Sequence, residues 1–230
     1  MPALKLYYHP LSQPSRAVVW FIAKNKVEGI EMKVIDIIKR ENMGEEFTAI
    51  NPFQSVPVLT IDGEPLLESG AILTYLSQIN NRADQPPADA TVGNARVTEA
   101  LLLHDNLSRV VTTHLFRPAV VGKMANPNMT DDDVKACFAK DWKGICWNLG
   151  FVDGRLGKSK FIAGDEFTLP DYLVAAELTQ LTFLEKYFPE GATISGTFSN
   201  IARYLKDLQS VGAYESLVAP FALLQPPKAQ

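Results

Sequence analysis

The chain opens with a short apolar and aromatic run, Leu4 to Tyr8, which reads as a strand, and the hydrophobic period changes directly after Pro10. From Ser12 to Lys26 the pattern is helical, through Ala17, Val18, Trp20, Phe21 and Ala23, with Pro14 near the start and Gly29 beyond the end. Glu31 to Ile37 alternates apolar and polar residues, and Gly44 to Ile50 is long enough for a short helix. Val58 to Ile61 then meets Pro65 to Leu67 across Asp62-Gly63, a pair that favours a tight hairpin. Ser69 to Ile79 is helical again, so residues 1–80 are predicted to follow the order βαβαββα.

Residues 81–94, with Pro86-Pro87 and Gly93, have the composition of a linker. From there to residue 230 every strong periodicity is helical, so 95–230 are predicted to form an all-helical bundle. Val97, Leu101, Leu107, Val110, Val111 and Leu115 lie along one long amphipathic helix, which Asn126-Pro127-Asn128 ends. Asp131-Asp132-Asp133 supplies negative charge at the next helix start. Thr168-Leu169-Pro170-Asp171 combines an N-cap, a proline in the first turn and an acid at the capping-box position, a structural helix start.

Composition narrows the function classes. Of 230 residues 47% are apolar and 21% charged, a globular composition that excludes disorder over most of the length. Residues 1–80 hold 7 basic against 9 acidic side chains and residues 81–230 hold 15 against 17, so neither half offers a basic footprint for nucleic acid. No apolar stretch approaches the roughly 20 residues of a membrane span, and the first residues lack a secretory pattern, so a cytoplasmic location is expected. Cys137 and Cys146 are nine residues apart, on opposite faces of a helix, and are expected as reduced thiols.

Several motifs fail on spacing. Gly157-Lys158-Ser159 ends like a phosphate-binding loop, but Val152 stands where the first glycine belongs. Gly150, Gly154 and Gly157 miss the dinucleotide spacing and are read as helix-end and loop glycines. His9, His104 and His114 never fall four apart, so no metal site is expected.

Three segments carry candidate chemistry. Tyr7-Tyr8-His9-Pro10-Leu11-Ser12-Gln13-Pro14-Ser15-Arg16 runs from the first strand into the first helix, where N–H groups and the helix dipole favour an anion. Ser12 and Ser15 have the spacing of a redox cysteine pair, but hydroxyls form no disulfide. The residues alone leave Ser12 equally open as a helix cap and as a hydrogen-bond donor to a ligand. Asn51-Pro52-Phe53-Gln54-Ser55-Val56-Pro57 turns into a strand, and a cis bond at Pro57 would expose the backbone of Val56 to an extended ligand. Glu68-Ser69 starts the third helix with an acid, a hydroxyl and free N–H groups, suited to an amino-acid-like ligand or to simple capping.

Leu11-Ser-Gln-Pro-Ser-Arg-Ala17, Asn51-Pro-Phe-Gln-Ser-Val-Pro57 and Glu68-Ser-Gly-Ala-Ile-Leu-Thr-Tyr-Leu76, in this order and separation, resemble the cytosolic glutathione transferases, nearest the serine-type theta and delta classes. Phe161-Ile-Ala-Gly-Asp-Glu-Phe-Thr-Leu-Pro-Asp-Tyr172 is similar to the capping-box segment of that family's helical domain. The resemblance implies a thioredoxin-like N-terminal domain over 1–80 that binds glutathione as co-substrate, an all-helical domain over 95–230 that binds a small hydrophobic electrophile, and a homodimer.

Carried over by position, the resemblance makes Ser12 the hydroxyl that stabilises the glutathione thiolate. Val56 pairs with the cysteinyl backbone, Pro57 is the cis-proline, and Glu68 with Ser69 holds the γ-glutamyl group. Asn42 and Gln54 stand near the glycyl carboxylate, where related serine-type enzymes often have histidine. Tyr8 falls close to the tyrosine used by the tyrosine-type classes and is the second candidate for the thiol contact. Val110, Val111, Leu115 and Phe116, with the Phe221-Ala222-Leu223-Leu224 tail, are the expected electrophile side. A non-catalytic binding or scaffold module of the same fold is the alternative, and glutathione-assisted isomerisation is disfavoured because Ser12-Gln13-Pro14 departs from the Ser-Ser-Cys start of that branch.

Overall fold

A computed structural model describes residues 2–123 and 126–224, without the side chains of 108–110, 113 and 222–224. They form two compact units, residues 2–85 with 212–224 and residues 86–211.

The first unit is built on a four-stranded mixed sheet in the order β2-β1-β3-β4, with strands β1 (Leu4–Tyr8), β2 (Ile30–Val34), β3 (Val58–Ile61) and β4 (Glu64–Leu66). β1 pairs parallel with β2 and antiparallel with β3, and Leu6 stands opposite Met32 on one side and Leu59 on the other. The β3–β4 hairpin closes through Asp62 and Gly63, both at positive φ (52° and 92°), the backbone that an Asp-Gly pair tolerates best.

Strand alternation sends Tyr7 and Val58 to one face, where they pack with Ile35 and with Phe47 of α2 (Glu45–Ile50). Ile50, Val56 and Leu67 close the edge of this cluster. Helices α1 (Gln13–Asn25) and α3 (Ser69–Ile79) pack on each other and bury Trp20, Phe21, Ile72, Leu73 and Leu76 completely.

The C-terminal segment belongs to this first unit, whereas the sequence reading assigned everything after residue 94 to the bundle. Specific contacts explain the difference. The Trp20 indole donates to the Gly212 carbonyl at 2.9 Å and meets the Tyr214 ring edge-on at 6.0 Å. The Phe221 ring lies 4.5 Å from the Arg16 guanidinium. Residues up to 85 are tied in as well, since Asp84 accepts from Lys24 at 2.7 Å and from Asn25 at 2.8 Å.

The second unit is helical throughout. Helix α4 (Thr91–Arg109) runs into a π-helical stretch, Val110–Gly122, where the sequence reading expected one continuous helix. Pro118 lies inside it; a proline removes one donor and crowds the carbonyl four residues back, and wider turns relieve both. Asn126 ends the segment by accepting from the Asn128 N–H with its side chain.

Helix α5 (Asp131–Leu156) starts on a reciprocal cap between Thr130 and Asp133. It carries Cys137 and Cys146 as free thiols. Gly150 and Gly154 lie inside this helix rather than at its end or in a loop, so helical periodicity in the flanking residues outweighs the glycine preference for irregular structure. Helix α6 (Leu169–Leu184) is buried from Leu169 to Leu181, the central element of the bundle, followed by α7 (Ile194–Thr197) and α8 (Ser199–Leu208). No helix among the described residues is long and apolar enough to cross a membrane.

Candidate functional site

The turn from β1 into α1 is fastened by its own side chains. His9 is buried, and burial lowers its pKa, so the neutral imidazole accepts the Leu11 N–H on Nδ1 at 3.2 Å. The His9 carbonyl accepts from the Ser12 N–H at 3.0 Å, and the His9 N–H reaches the buried Ser15 hydroxyl at 3.4 Å. One turn into α1, Arg16 is 1% exposed and donates from Nη1 to the Leu11 carbonyl at 3.2 Å.

Ser12 occupies the N-cap of α1 in an extended conformation, and its hydroxyl oxygen accepts the Ser15 N–H at 3.4 Å. The same hydroxyl donates to the Val56 carbonyl at 3.3 Å. The cap reading is therefore present in the structure, and the hydroxyl proton is directed at a backbone carbonyl. The expected row of unpaired N–H groups at this helix start is reduced: Pro14 has none, and those of Ser15 and Arg16 are taken by Ser12.

The segment before β3 is organised by the buried Asn51, which accepts the Phe53 N–H and donates to the Ser55 carbonyl at 2.8 Å. The Val56–Pro57 peptide bond is cis. Asn42 donates to the Gln54 carbonyl at 2.7 Å, while its own Oδ1 is buried with no partner. The Gln54 amide in turn reaches the Thr48 hydroxyl at 3.3 Å. The structure thus brings Asn42 and Gln54 together and joins Ser12 to Val56.

Glu68 sits at the N-cap of α3 with φ 68° and ψ 119°, a region that costs a non-glycine residue about 1–3 kcal/mol. Its side chain makes no cap bond and is exposed, and Ser69 beside it is buried. A carboxylate turned out at such a point is free to receive an ammonium group. Leu67 packs on the same cluster as Val56, so the start of α3 lies beside the Val56 turn. Tyr8 is the half-buried last residue of β1, opposite Val34 and on the face away from Tyr7.

In the second unit Val111 and Leu115 have no exposed surface and Phe116 is 7% exposed. The side chains of Val110, Ala222, Leu223 and Leu224 lie outside the described residues. A cavity of about 110 Å³ opens between α4 and α5, bordered by Leu103, His104, Leu107, Trp147, Phe151 and Val152. None of Val111, Leu115 and Phe116, the expected electrophile side, lines it.

The sequence places His9, Ser15, Arg16 and Asn51 inside the candidate segments without giving them the bonds that organise these turns. Asn51 carried a legible signal, an Asn-Pro turn, whereas a buried arginine at the fourth position of a helix looks like a surface residue until its neighbours are known.

Comparison with known proteins bears on this arrangement. Residues 2–78 match the family model of the glutathione S-transferase N-terminal domain, and residues 129–210 match that of the C-terminal domain. The chain is 32% identical over 179 residues to glutathione S-transferase theta-2 of Rattus norvegicus, covering 77% of this chain and 71% of the relative. It is 28% identical over 234 residues to glutathione S-transferase 3 of Zea mays, covering 100% and 99%. A glutathione transferase homolog of Drosophila mojavensis, solved with bound glutathione, has the same fold with a TM-score of 0.73 at 18% identity, over 97% of this chain and 94% of that one.

Proposed function

Because the chain belongs to the glutathione S-transferase family, we propose that the Ser12 hydroxyl holds the sulfur of bound glutathione as a thiolate that attacks a small hydrophobic electrophile. The chain is an enzyme, a glutathione S-transferase with glutathione as its co-substrate, which sets aside the non-catalytic alternative. The observation that carries the serine reading is the Ser12 hydroxyl, half-buried beside the cis-Pro57 turn and already acting as a donor, to Val56, at 3.3 Å.

The energetics suffice. A free thiol with a pKa of about 8.5 is roughly 3% ionised at neutral pH, and the thiolate is the nucleophile. A hydrogen bond to a charged acceptor contributes about 1.5–3 kcal/mol and a helix terminus about 0.3–1, against about 1.4 for one pKa unit. Together they lower the thiol pKa by roughly 1.5 to 2.5 units, which leaves the bound sulfur half ionised or better near pH 7. The thiolate pair then forms a bond to the electrophilic carbon while that carbon's leaving group departs with its own bonding pair. Ser12 donates a hydrogen bond throughout and is never itself attacked.

Val56 pairs with the cysteinyl backbone, Glu68 and Ser69 receive the γ-glutamyl ammonium and carboxylate, and Asn42 with Gln54 shapes the glycyl end. On the electrophile side Val111 and Leu115 act as backing, and Phe116 offers the contact surface. A homodimer accompanies this reading; Leu102, Trp147 and Phe151 are 72%, 75% and 52% exposed, and a second copy would cover such apolar surface. Sedimentation of the purified chain distinguishes a dimer from a monomer.

The decisive experiment measures glutathione conjugation to an aryl halide together with the ultraviolet thiolate absorbance of bound glutathione. Ser12→Ala is expected to lose both while still binding the tripeptide. A variant with undiminished thiolate absorbance assigns the contact elsewhere, with Tyr8→Phe as the next variant to measure.

A further inference from the structure

From the bonds of the turn that leads into α1, we propose that His9 is a positioning residue for Ser12: its imidazole Nδ1, by holding the Leu11 N–H, fixes the turn from which the Ser12 hydroxyl is aimed at the sulfur. The inference rests on the serine reading above and adds to it the group that sets the donor's direction.

Residues 9–12 form a turn in which the His9 carbonyl accepts the Ser12 N–H at 3.0 Å. Pro10 stands at its second position, where a fixed φ suits a turn and the missing N–H is not needed. A turn of this kind gives the N–H of its third residue no partner of its own, and that residue, Leu11, is 5% exposed. Left unpaired there, the N–H would cost the desolvation of a polar group. Asp, Asn and Ser are the usual first residues of such turns, because their side-chain oxygens reach this N–H. In this chain an imidazole takes that role, with Nδ1 3.2 Å from the Leu11 nitrogen. Acceptance requires Nδ1 to be bare, so the ring proton stands on Nε2. Burial favours the same neutral form, since it lowers the His9 pKa and outweighs the opposing field of Asp36.

The turn passes this constraint on to Ser12. The His9 N–H reaches the Ser15 hydroxyl at 3.4 Å, the Ser15 N–H reaches the Ser12 hydroxyl at 3.4 Å, and the Ser12 N–H returns to the His9 carbonyl. These three residues therefore close a ring of bonds that contains the proposed donor. Upstream, the Tyr8 carbonyl accepts the Ile35 N–H at 2.8 Å, which anchors the ring to the sheet. Downstream, the Leu11 carbonyl accepts from Arg16, so both peptides that flank Leu11 are held, one of them through the His9 imidazole. Ser12 follows directly, and its hydroxyl is one bond removed from the backbone that this turn orients. A misplacement of about 1 Å at a reacting centre costs on the order of a hundredfold in rate, so a small rotation of the turn is enough to matter.

The test follows the ionisation of bound glutathione through its ultraviolet thiolate absorbance against pH, in wild type, His9→Asn, His9→Gln, His9→Leu and Ser12→Ala, each first checked for native circular dichroism. An asparagine side chain can place its oxygen where Nδ1 stands, a glutamine amide reaches only the place of Nε2, and leucine fills the space with no acceptor. His9→Gln and His9→Leu are expected to raise the thiol pKa by about one unit, a tenfold smaller ionisation constant, with KM for glutathione within about threefold of wild type. His9→Asn is expected to restore the acceptor and keep the ionisation constant within about threefold. A folded His9→Gln or His9→Leu with the wild-type thiol pKa overturns the inference, as does a folded His9→Asn whose pKa has risen by a full unit. If the first two do not fold, His9→Asn alone decides, because the Nδ1-position acceptor is the one polar feature it shares with histidine here. If Ser12→Ala leaves the pKa unchanged, the serine reading itself has failed; if Ser12→Ala raises it and His9→Gln and His9→Leu do not, only the role of His9 has failed.

Discussion

The Ser12 hydroxyl lies 3.3 Å from the Val56 carbonyl and donates to it, although the two residues are 44 positions apart in the chain. A hydroxyl has one proton, so Ser12 cannot donate to Val56 and to a thiolate at the same time. On the proposed reading, arrival of the sulfur would move that proton from a neutral acceptor to a charged one, where the bond is about twice as strong. The oxygen meanwhile keeps the Ser15 N–H, which polarises it as a donor. Ser12→Ala is expected to lower kcat by roughly ten- to a hundredfold, the size of one hydrogen bond to a charged group. Affinity for S-methylglutathione, which has no thiolate, should change less than threefold. Calorimetry with that analogue beside steady-state kinetics checks the split; equal losses in both would mean that Ser12 contributes ordinary ground-state binding.

Glu68 holds an unfavourable backbone at φ 68° while its carboxylate stays exposed and forms no cap bond. A residue kept at such a point for the sake of binding should affect recognition and not the chemical step. Glu68→Gln preserves the shape and removes the charge that, on the proposed reading, faces the γ-glutamyl ammonium. KM for glutathione is expected to rise roughly tenfold or more with kcat within about twofold, the pattern of an interaction equally strong in ground and transition states. An unchanged KM would place the ammonium elsewhere.

These predictions lean on residues of two kinds, and the kinds differ in how legible they were. Ser12, Pro57, Glu68 and Ser69 stand at element boundaries, where a proline, a cap or a turn leaves a local signature, and the order of strands and helices followed from the same punctuation. The hairpin at Asp62-Gly63 needed only period-two alternation and a turn pair, whereas the pairing of Leu6 with Leu59 across the chain was not written in either strand. The burial of Arg16 and His9 and their bonds to Leu11 were hidden, because a linear pattern encodes neither burial nor partners. The return of Tyr214 and Phe221 to α1 was equally hidden, for helical periodicity reports that a face is apolar without naming what covers it. The π-helical stretch around Pro118 was legible in principle, since an interior proline forbids a regular helix.

Gly144 and Gly150 lie on the exposed side of α5, and a Cβ built at either meets no atom within 4 Å. Neither has a positive φ, so alanine fits the backbone as it stands. Glycine inside a helix is about 0.8–1.0 kcal/mol less favourable than alanine, largely through the freedom it retains when unfolded. Gly144→Ala and Gly150→Ala should therefore each stabilise the chain by about 0.5–1 kcal/mol and combine additively, with glutathione kinetics unchanged. Urea unfolding of the single and double variants measures this. A loss of stability would mean that these positions are covered in the assembled protein.

Asp171 is fully buried at the start of α6, where its carboxylate accepts from the Ile162 N–H at 3.0 Å, the Thr168 N–H at 2.8 Å and the Tyr204 hydroxyl at 3.0 Å. Those donors favour the charged form, but desolvation outweighs them and pushes the pKa up to about 6. In the unfolded chain the group titrates near 3.9. Between about pH 4 and pH 6 the folded state thus binds more protons than the unfolded one, so stability from this residue is complete below about pH 4 and falls as pH rises through 6. Two units correspond to about 3 kcal/mol. Asp171→Asn does not titrate in this range, so the stability gap between wild type and variant should narrow by about 2 kcal/mol from pH 4.5 to pH 7, the part of the full difference that lies in that window. The variant is less stable at every pH, because its amide offers fewer acceptor sites to four buried donors, the Thr168 hydroxyl at 3.3 Å among them. Urea unfolding at four or five pH values gives both quantities. A gap that widens with rising pH would mean that these donors hold Asp171 ionised, and that its bonds to Ile162, Thr168 and Tyr204 are charge-assisted throughout.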